Sequence, residues 1–350
     1  MIKWEVKKLG EVCTLQRGFD LPKNLREKGD YPLISSSGEI DTHCEPKVKS
    51  PGIVTGRSGS IGSLFFVEKD FWPLNTTLFV KDFHGNDPRF IFYLLKHFDL
   101  GRFASGTGVP TLNRNHVHDE KINITTSLKE QKRIVEILDK AFEGIAQAEA
   151  NTRRNLINAR ELFDSYLASI HSDREKLRNL VDIRTGKLNS NAAEENGIYP
   201  FFTCSRDVYR INDYAFDCEA ILLAGNNASG DFNVKHYSGK FNAYQRTYVI
   251  TINPEKRVVY RYLYYQLLHS LKEFKQKSVG AATKFLKIGI IQDMEIPLPN
   301  IYEQNKIVVN LDSLQTKTQK LETIYQRKLE EIAELKQSIL EKAFTGQLSQ

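Results

Sequence analysis

The chain has 350 residues, of which 41% are hydrophobic and 26% charged, and its formal net charge is +6. This composition is ordinary for a globular protein, and the length suffices for two domains with separate cores. No apolar run approaches membrane-spanning length and the first residues lack a signal-peptide pattern, so we expect a cytoplasmic protein that makes no membrane contact. The four cysteines show no C-x-x-C spacing, which favours reduced thiols over disulfides or a zinc site.

The first segment, residues 1–126, has the pattern of a β-rich domain with some helix. Short apolar runs at 52–55 and 63–67 predict strands, and the run at 89–95 predicts a helix. Between them lie loops in which Ser, Thr, Asn and Arg stand beside glycine and could donate hydrogen bonds to phosphates or base edges. Each loop taken alone could equally be a simple turn. The candidate contact residues are Ser36, Thr55, Arg57, Ser58, Ser60, Thr107, Thr111, Asn113 and Arg114.

Residues 127–170 predict one long helix, because this segment has no proline and its apolar residues recur every three or four positions. Ser127 and Glu130 form an S-x-x-E capping box at its start. At ~1.5 Å per residue the helix would be roughly 65 Å long, so it needs a partner to cover its apolar face. The seam residues include Ile134, Leu138, Ile145, Leu156 and Leu162.

The second globular segment, residues 171–300, repeats the α+β pattern of the first. Strands are expected at 220–224 and 248–252, and a helix at 260–268. Arg57 and Arg206 are the best candidates for guanine contacts, since a forked guanidinium matches two acceptors of that base, but either could be a surface salt-bridge residue. The polar loop candidates here are Thr203, Ser205, Arg206, Asn226, Asn227, Thr283, Lys284 and Lys287.

Residues 301–350 predict a second long helix, with Asn300 as its cap and Gly346 as the glycine after its end. We interpret the two helices as an intramolecular coiled coil; two unrelated surface helices are the alternative. The seam residues of the second helix include Leu311, Leu314, Leu321, Ile332, Leu335 and Ile339.

The sequence also contains an internal duplication, since similar stretches recur at an offset that drifts along the chain. The matched stretches are Leu9–Val12 with Leu180–Ile183 at an offset of 171, Tyr31–Ile34 with Tyr199–Phe202 at 168, Thr111 with Thr283 at 172, and Glu130-Gln131 with Glu303-Gln304 at 173. Two copies of a globular segment followed by a long helix are therefore expected.

The charge is distributed unevenly between these parts. Residues 127–170 and 301–350 each carry seven basic and seven acidic residues, whereas residues 1–126 have a net charge of +2 and residues 171–300 of +4. An excess of positive charge in the globular segments suits a polyanionic partner, although a solvated surface would explain it nearly as well.

Catalytic motifs are missing from the sequence. Neither Gly-Lys pair is followed by Ser or Thr as in a P-loop, and Gly56, Gly59 and Gly62 do not have the spacing of a dinucleotide-binding loop. No Asn/Asp-Pro-Pro-aromatic loop of an aminomethyltransferase is present. His116 and His118 could be two ligands on one strand face, but nothing completes a metal site. We expect no catalytic residue, metal or cofactor in this chain.

The layout resembles the specificity (S) subunit of Type I restriction–modification systems, and the resemblance covers the whole chain. It is carried by the helix openings at 130–135 and 303–308, by Trp4-x-x-x-Lys8-Leu-Gly-Glu-Val12, and by the ending at 335–348. The resemblance implies an α+β fold with pseudo-two-fold duplication. Two target recognition domains, residues 1–126 and 171–300, would be separated by two long antiparallel helices, 127–170 and 301–350.

The function implied by the resemblance is that of a non-catalytic reader of double-stranded DNA. Each recognition domain would bind one half of a bipartite, asymmetric target, and the helices would set the spacing. Two modification subunits carrying S-adenosylmethionine would dock on it, together with restriction subunits that use ATP and Mg. The alternatives are a single-chain DNA-modifying enzyme and a two-domain scaffold that binds protein.

Overall fold

The structure, a computed structural model, describes residues 4–106 and 110–349. The chain forms two compact units. The first comprises Met1–Arg153 and Arg327–Gln350, and the second comprises Arg154–Gln326. Each unit therefore contains one globular segment and a part of each long helix. The division of the sequence into four domains stays a prediction.

The first unit has a four-stranded sheet in the order β2-β8-β5-β6 and a three-stranded sheet in the order β4-β3-β7, with β1-β11 and β9-β10 as separate pairs. All five residues of β5 are buried, as expected of a strand covered on both faces. The elements of residues 4–168, of which α3 extends into the second unit, are β1 Trp4–Lys8, β2 Thr14–Arg17, β3 Tyr31–Ser35, β4 Gly38–His43, β5 Gly52–Gly56, β6 Leu64–Val67, β7 Trp72–Pro73, β8 Thr77–Asp82, α1 Pro88–Phe98, β9 Ala104–Ser105, β10 Thr111–Leu112, α2 Arg114–His118, β11 Lys121–Thr125 and α3 Leu128–Ala168.

The second unit has a six-stranded sheet in the order β13-β19-β16-β18-β14-β15, together with the pairs β12-β21 and β17-β20. The elements of residues 174–344, of which α7 extends into the first unit, are β12 Arg174–Lys176, β13 Val181–Thr185, β14 Tyr199–Phe202, β15 Tyr209–Ile211, β16 Phe216–Ala224, β17 Asn226–Asn227, β18 Val234–Ala243, β19 Thr247–Ile252, α4 Tyr260–His269, α5 Leu271–Lys277, β20 Lys284–Phe285, α6 Ile288–Gln292, β21 Glu295–Pro297 and α7 Ile301–Phe344. The predicted strands and the predicted helices at 89–95 and 260–268 are confirmed.

The backbone hydrogen bonds confirm the duplication and correct its alignment near the start of each copy. Leu9 N donates to the carbonyl of Glu120 at 2.8 Å, and Leu177 N donates to that of Met294 at 2.9 Å. Leu9 therefore corresponds to Leu177, and the match of Leu9 with Leu180 is wrong by three residues. The sequence is ambiguous here because apolar residues recur every three positions, whereas the hydrogen bonds set one register.

A second correction concerns the strand pairs that contain β10 and β20. Leu112 and Leu286 occupy the same position, since each donates its N–H to the carbonyl of the residue that follows the central strand of its sheet. The residue before them is Thr111 in the first copy and Phe285 in the second. The match of Thr111 with Thr283 is therefore wrong by two residues. The pairing of Tyr31–Ile34 with Tyr199–Phe202 is confirmed, since both segments pair parallel with equivalent neighbours.

The two long helices run antiparallel within each unit. In the first unit the ammonium of Lys336 on α7 contacts the carboxylate of Glu149 on α3. In the second unit Arg160 on α3 and Glu322 on α7 form an ion pair of 2.7 Å. Each helix pair also contributes to the core of its own unit, and Leu340, Ala343 and Phe344 of α7 lie in the same buried cluster as Ile134 and Leu138 of α3.

The predicted seam is correct in part. Ile134, Leu138, Ile145, Leu311 and Ile332 are buried, and Leu156, Leu314 and Ile339 are half-buried. Three members are exposed and do not belong to the seam: Leu162 at 52%, Leu321 at 37% and Leu335 at 48%.

An adjacent apolar residue explains the misplacement of Leu162. Phe163 and Leu167 pack into the second unit's buried cluster in place of Leu162. A pattern of threes and fours cannot decide which of two neighbouring apolar residues faces inward.

The helix ends follow their predicted signals. Glu130 N donates to Ser127 Oγ at 3.4 Å, and Glu303 N donates to Asn300 Oδ1 at 3.0 Å. Gly346 follows α7 with a φ of 80°, and a Cβ at this position would lie 3.2 Å from Trp4 Nε1, so glycine suits both the turn and the contact. Among the described residues, no helix has an apolar stretch long enough to cross a bilayer.

Candidate nucleic-acid interface

A cleft with a volume of about 390 Å³ lies at one end of the four-stranded sheet in the first unit. Arg17 ends β2, Arg57 directly follows β5, and Arg114 begins α2. Two backbone hydrogen bonds hold these segments together: Arg57 N donates to Thr76 O at 2.8 Å, and Leu112 N donates to Arg57 O at 2.8 Å. The fold thus brings together three guanidinium groups that lie far apart in sequence.

The three arginines of this cleft differ in their contacts. Arg57 donates from Nε to the carbonyl of Asn75 at 3.1 Å. Arg114 makes a long contact of 3.5 Å to the carbonyl of Leu15, and Arg17 lies 3.4 Å from the carboxylate of Asp20. Only one of the three guanidinium groups therefore has a carboxylate partner among the described residues, and the cleft carries net positive charge.

The second unit has a cleft of about 440 Å³, lined by Thr185, Gly225, Gln245, Arg246, Tyr248, Val279, Phe285, Leu286 and Lys287. Arg246 lies over the ring of Phe285, at 5.3 Å from its centroid. Tyr248 donates its hydroxyl to Leu286 O at 2.7 Å, and burial raises the pKa of this phenol, so it stays protonated at neutral pH. Arg246 and Lys287 supply the positive charge.

The two clefts occupy equivalent positions in the duplicated fold. Gly225 N donates to Arg246 O at 2.8 Å, as Arg57 N does to Thr76 O, and Leu286 N donates to Gly225 O at 2.9 Å. The equivalent side chains differ at almost every position: Arg17 is replaced by Thr185, Arg57 by Gly225, Thr76 by Arg246, Thr111 by Phe285 and Asn113 by Lys287. One backbone scaffold therefore presents two different sets of polar groups.

Most of the candidates in the first copy converge on this cleft. Arg57, Thr111, Asn113 and Arg114 line it. Ser58 pairs with Thr111 through an isolated β-bridge. Ser36 and Ser60 lie beside the same loop, because a Cβ at Gly56 would lie 3.2 Å from Ser36 Cβ and 2.0 Å from Ser60 O.

Two candidates in the first copy have a different outcome. Thr55 is 1% exposed inside β5, so its side chain does not reach the surface, and the prediction of a direct contact from it is corrected. A strand that is covered on both faces buries every side chain, and only the loop that follows β5 reaches the surface. Thr107 lies outside the described residues.

The candidates of the second copy are more dispersed. Lys287 lines the cleft, and Asn226, Asn227, Thr283 and Lys284 lie in or beside the neighbouring β17-β20 pair. The carboxamide oxygen of Asn227 accepts hydrogen bonds from the backbone of Ser229 and Asp231, which gives this residue a structural role.

The remaining candidates in this copy serve local structure. Thr203 is buried, and its hydroxyl accepts from the backbone of Ser205, so the prediction of a direct contact from Thr203 is corrected. Arg206 forms an ion pair of 2.6 Å with Asp231 and does not line the cleft. Of the two alternatives open for Arg206, a guanine contact and a surface salt bridge, the structure shows the salt bridge.

Sequence reasoning missed Arg246, the arginine that the second cleft contains. A sequence signal was present, because Thr77 and Thr247 begin similar strands at an offset of 170, which aligns Arg246 with Thr76, and the carbonyl of Thr76 accepts from Arg57 N. The residues His116 and His118 lie on the short helix α2 and not on a strand. The imidazole of His118 accepts a hydrogen bond from Leu15 N at 2.9 Å, and no metal-binding cluster occurs among the described residues.

The model of the Type I restriction modification DNA specificity domain matches residues 1–159 and 173–333. The EcoDI specificity subunit of Escherichia coli is 38% identical over 174 residues, which are 50% of this chain and 38% of that protein. The MjaVIII specificity subunit of Methanocaldococcus jannaschii is 24% identical over an alignment covering 99% of this chain and 93% of its own. The chain thus spans about two fifths of one relative and nearly all of the other.

A solved structure from work on complex assembly and conformational transition of the Type I system has the same fold. It superposes with a TM-score of 0.73 over 98% of both chains, at 18% identity. Since the domain model matches both globular segments and most of the two helices, the chain belongs to the family of Type I restriction–modification DNA specificity subunits.

Proposed function

We propose that this chain is a non-catalytic reader of double-stranded DNA, in which each globular copy contacts one half of a bipartite, asymmetric target through its cleft. The observation that carries the proposal is the equivalence of the two clefts, which share backbone hydrogen bonds and differ in side chains. Two readers of different half-sites need the same docking geometry and different groups to face the bases.

The electrostatics of the clefts support this proposal. Arg17, Arg57 and Arg114 line the first cleft, and Arg246 and Lys287 line the second. Cations at these positions would replace counterions on the DNA backbone, so binding should weaken steeply with salt. The same charge would favour encounter with DNA of any sequence, and selectivity would then come from contacts to base edges.

The long helices fit the role of a spacer. They carry equal numbers of basic and acidic residues and are held by ion pairs, such as Arg160 with Glu322, and by buried apolar contacts. Such helices contribute little attraction to DNA, and their number of turns would set the spacing between the half-sites.

The helices also present exposed apolar side chains that suit docking of two modification subunits. Ile157 is 53% exposed and Ile324 57%, and Leu162 and Leu335 are exposed too. The S-adenosylmethionine for adenine methylation would be bound by those subunits, and ATP and Mg by restriction subunits. In this division of labour the chain supplies sequence recognition and the partners supply catalysis.

The test is methylation of a randomised plasmid library by the full chain with its modification subunits and S-adenosylmethionine. We expect methylated adenines in two short sequence blocks separated by a fixed gap. Methylation by the chain alone would instead establish a single-chain enzyme. A complex that shows no salt-dependent binding to duplex DNA would establish a protein-binding scaffold.

A further inference from the structure

Two arginines, one in each cleft, occupy related positions in the duplicated fold. Arg57 and Arg246 lie on opposite sides of one backbone hydrogen bond that both copies contain. In the first copy Arg57 donates its N–H to the carbonyl of Thr76, and in the second Gly225 donates to the carbonyl of Arg246, both at 2.8 Å. The two copies therefore deliver a guanidinium to the same cleft from different segments of the chain.

The second copy has no room for an arginine at Gly225, the position that corresponds to Arg57. A Cβ added to Gly225 would lie 2.4 Å from Arg246 O and 2.9 Å from Tyr248 Cε2. These distances are too short for a close-packed interior unless the backbone moves. The arginine on the other side of the hydrogen bond supplies the charge that this glycine cannot.

Each of the two guanidinium groups is held in place without a carboxylate. Arg57 is fixed by the bond from its Nε to the carbonyl of Asn75, which leaves both terminal nitrogens for other acceptors. Arg246 is positioned by the ring of Phe285 through a cation–π contact. In contrast, Arg17 and Arg206 have carboxylate partners in Asp20 and Asp231. Among the described residues, no ion pair of this kind forms at Arg57 or Arg246.

We propose that Arg57 and Arg246 each read a guanine in the major groove, in the half-site that faces their own cleft. A guanidinium held in one orientation can donate two parallel hydrogen bonds to O6 and N7 of guanine, a pattern that no other base presents. Arg114 in the first cleft and Lys287 in the second contact backbone phosphates, for which charge matters more than orientation. This assignment rests on the proposed function, to which it adds the base that is recognised and the residue of each copy that recognises it.

The experiment uses the full chain assembled with its modification subunits and a plasmid library with randomised half-sites. Adenine methylation is mapped for the wild type, for Arg57→Ala and for Arg246→Ala. Arg57→Lys and Arg246→Lys keep the positive charge and remove the two parallel N–H donors of the guanidinium. Arg206→Ala is the matched control, because Arg206 is an exposed arginine with a carboxylate partner outside the cleft. Thermal unfolding verifies that every variant is folded.

We expect Arg57→Ala to lose preference for one guanine by roughly 5- to 150-fold, the range for a bidentate arginine–guanine contact. The other half-site should keep its sequence. Arg246→Ala should have the corresponding effect in the opposite half-site, the lysine variants should also lose the preference, and Arg206→Ala should leave both half-sites unchanged.

Three results would overturn the assignment. Uniform weakening at every sequence, with full rescue by lysine, would identify phosphate contacts. A change in both half-sites from one substitution would contradict one cleft reading one half-site, and an unchanged motif would exclude both arginines as readers. A wild-type complex that methylates no bipartite motif would be a failure of the proposed function itself, and it is recognised before any variant is compared.

Discussion

The hydroxyl of Tyr93 on α1 donates to Asp139 on α3 at 2.5 Å, and the equivalent Tyr265 on α4 donates to Asp312 on α7. An arginine one turn before each tyrosine contacts the same carboxylate, Arg89 at 3.1 Å and Arg261 at 2.9 Å. Burial raises the pKa of both phenols, so they donate at neutral pH. In each unit, this triad fixes the helix beside the sheet to a long helix.

We expect Tyr93→Phe to lower the free energy of unfolding of the first unit by about 1 kcal/mol, because it removes a donor from a part-buried carboxylate that keeps its arginine. Urea unfolding measures the change. Tyr209→Phe is the control, since Tyr209 is 43% exposed and its change should stay within about 0.5 kcal/mol. Equal effects of the two substitutions would show that the hydroxyl bond contributes nothing.

A buried glutamine fixes the start of each long helix as well. Gln131 is fully buried, and its carboxamide donates to Thr125 O and Asn86 Oδ1 and accepts from Asp87 N, each at 2.8 Å. In the second unit the carboxamide of Gln304 likewise accepts from Val259 N, and it donates to two backbone carbonyls, those of Arg257 and Pro299. These bonds join the loop before the domain helix to the first turn of the long helix.

Gln131→Ala should destabilise the first unit by about 3 kcal/mol, because it leaves buried backbone groups unpaired. Gln147→Ala on the same helix should cost less than about 0.5 kcal/mol, because Gln147 is exposed and its side chain donates to Asn151, one turn further along the same helix. The comparison is made by chemical unfolding. A small effect of Gln131→Ala would indicate that water replaces the lost bonds.

The duplication, the strands, the helices and the helix caps could be predicted from sequence, because hydrophobic period and capping chemistry are local signals. The exact alignment of the two copies could not be predicted. Both Leu177 and Leu180 fit the sequence pattern of Leu9, and only the backbone hydrogen bonds show that Leu177 is its equivalent. The second cleft was missed because Gly225 occupies the position of Arg57, and the guanidinium comes from Arg246, whose place opposite Gly225 depends on the pairing of β16 with β19.

Acid should destabilise the first unit through two histidines. Burial is the main cause that lowers the pKa of His97 and His118 from 6.5, so protonation favours the unfolded state. The stability is fully present above about pH 6.5 and is lost as the pH falls through that value towards the lower folded-state pKa.

The imidazole of His118 accepts from Leu15 N at 2.9 Å, which requires an unprotonated nitrogen. His118→Gln keeps an acceptor that does not titrate. The melting temperature of this variant should fall less than that of the wild type between pH 6.5 and 5. Identical slopes would show that His118 does not contribute to the acid response.

Two leucines of α3 test which side of the helix is buried. Leu138 is fully buried in the core of the first unit, whereas Leu162 is 52% exposed in the second. Leu138→Ala should cost about 2–5 kcal/mol, through lost burial and a residual cavity. Leu162→Ala should cost at most about 0.5 kcal/mol in the isolated chain. A large cost for Leu162→Ala in the isolated chain would place it in the seam after all.

The length of the helices should determine the gap between the half-sites. One heptad adds about 10 Å to a helix, or roughly three base pairs of DNA, and keeps the seam in phase. Because α3 and α7 run antiparallel, the heptads must be inserted at matched levels, near Glu149 in one helix and Lys336 in the other.

The double insertion should lengthen the gap in the methylated motif and leave each half-site unchanged, as mapped on the randomised library. A heptad in α3 alone is the control: it shifts the two seams relative to each other and should reduce stability and methylation. If the double insertion altered the half-site sequences while the gap stayed constant, the helices would not act as the spacer. Recognition would then depend on a direct contact between the helices and DNA.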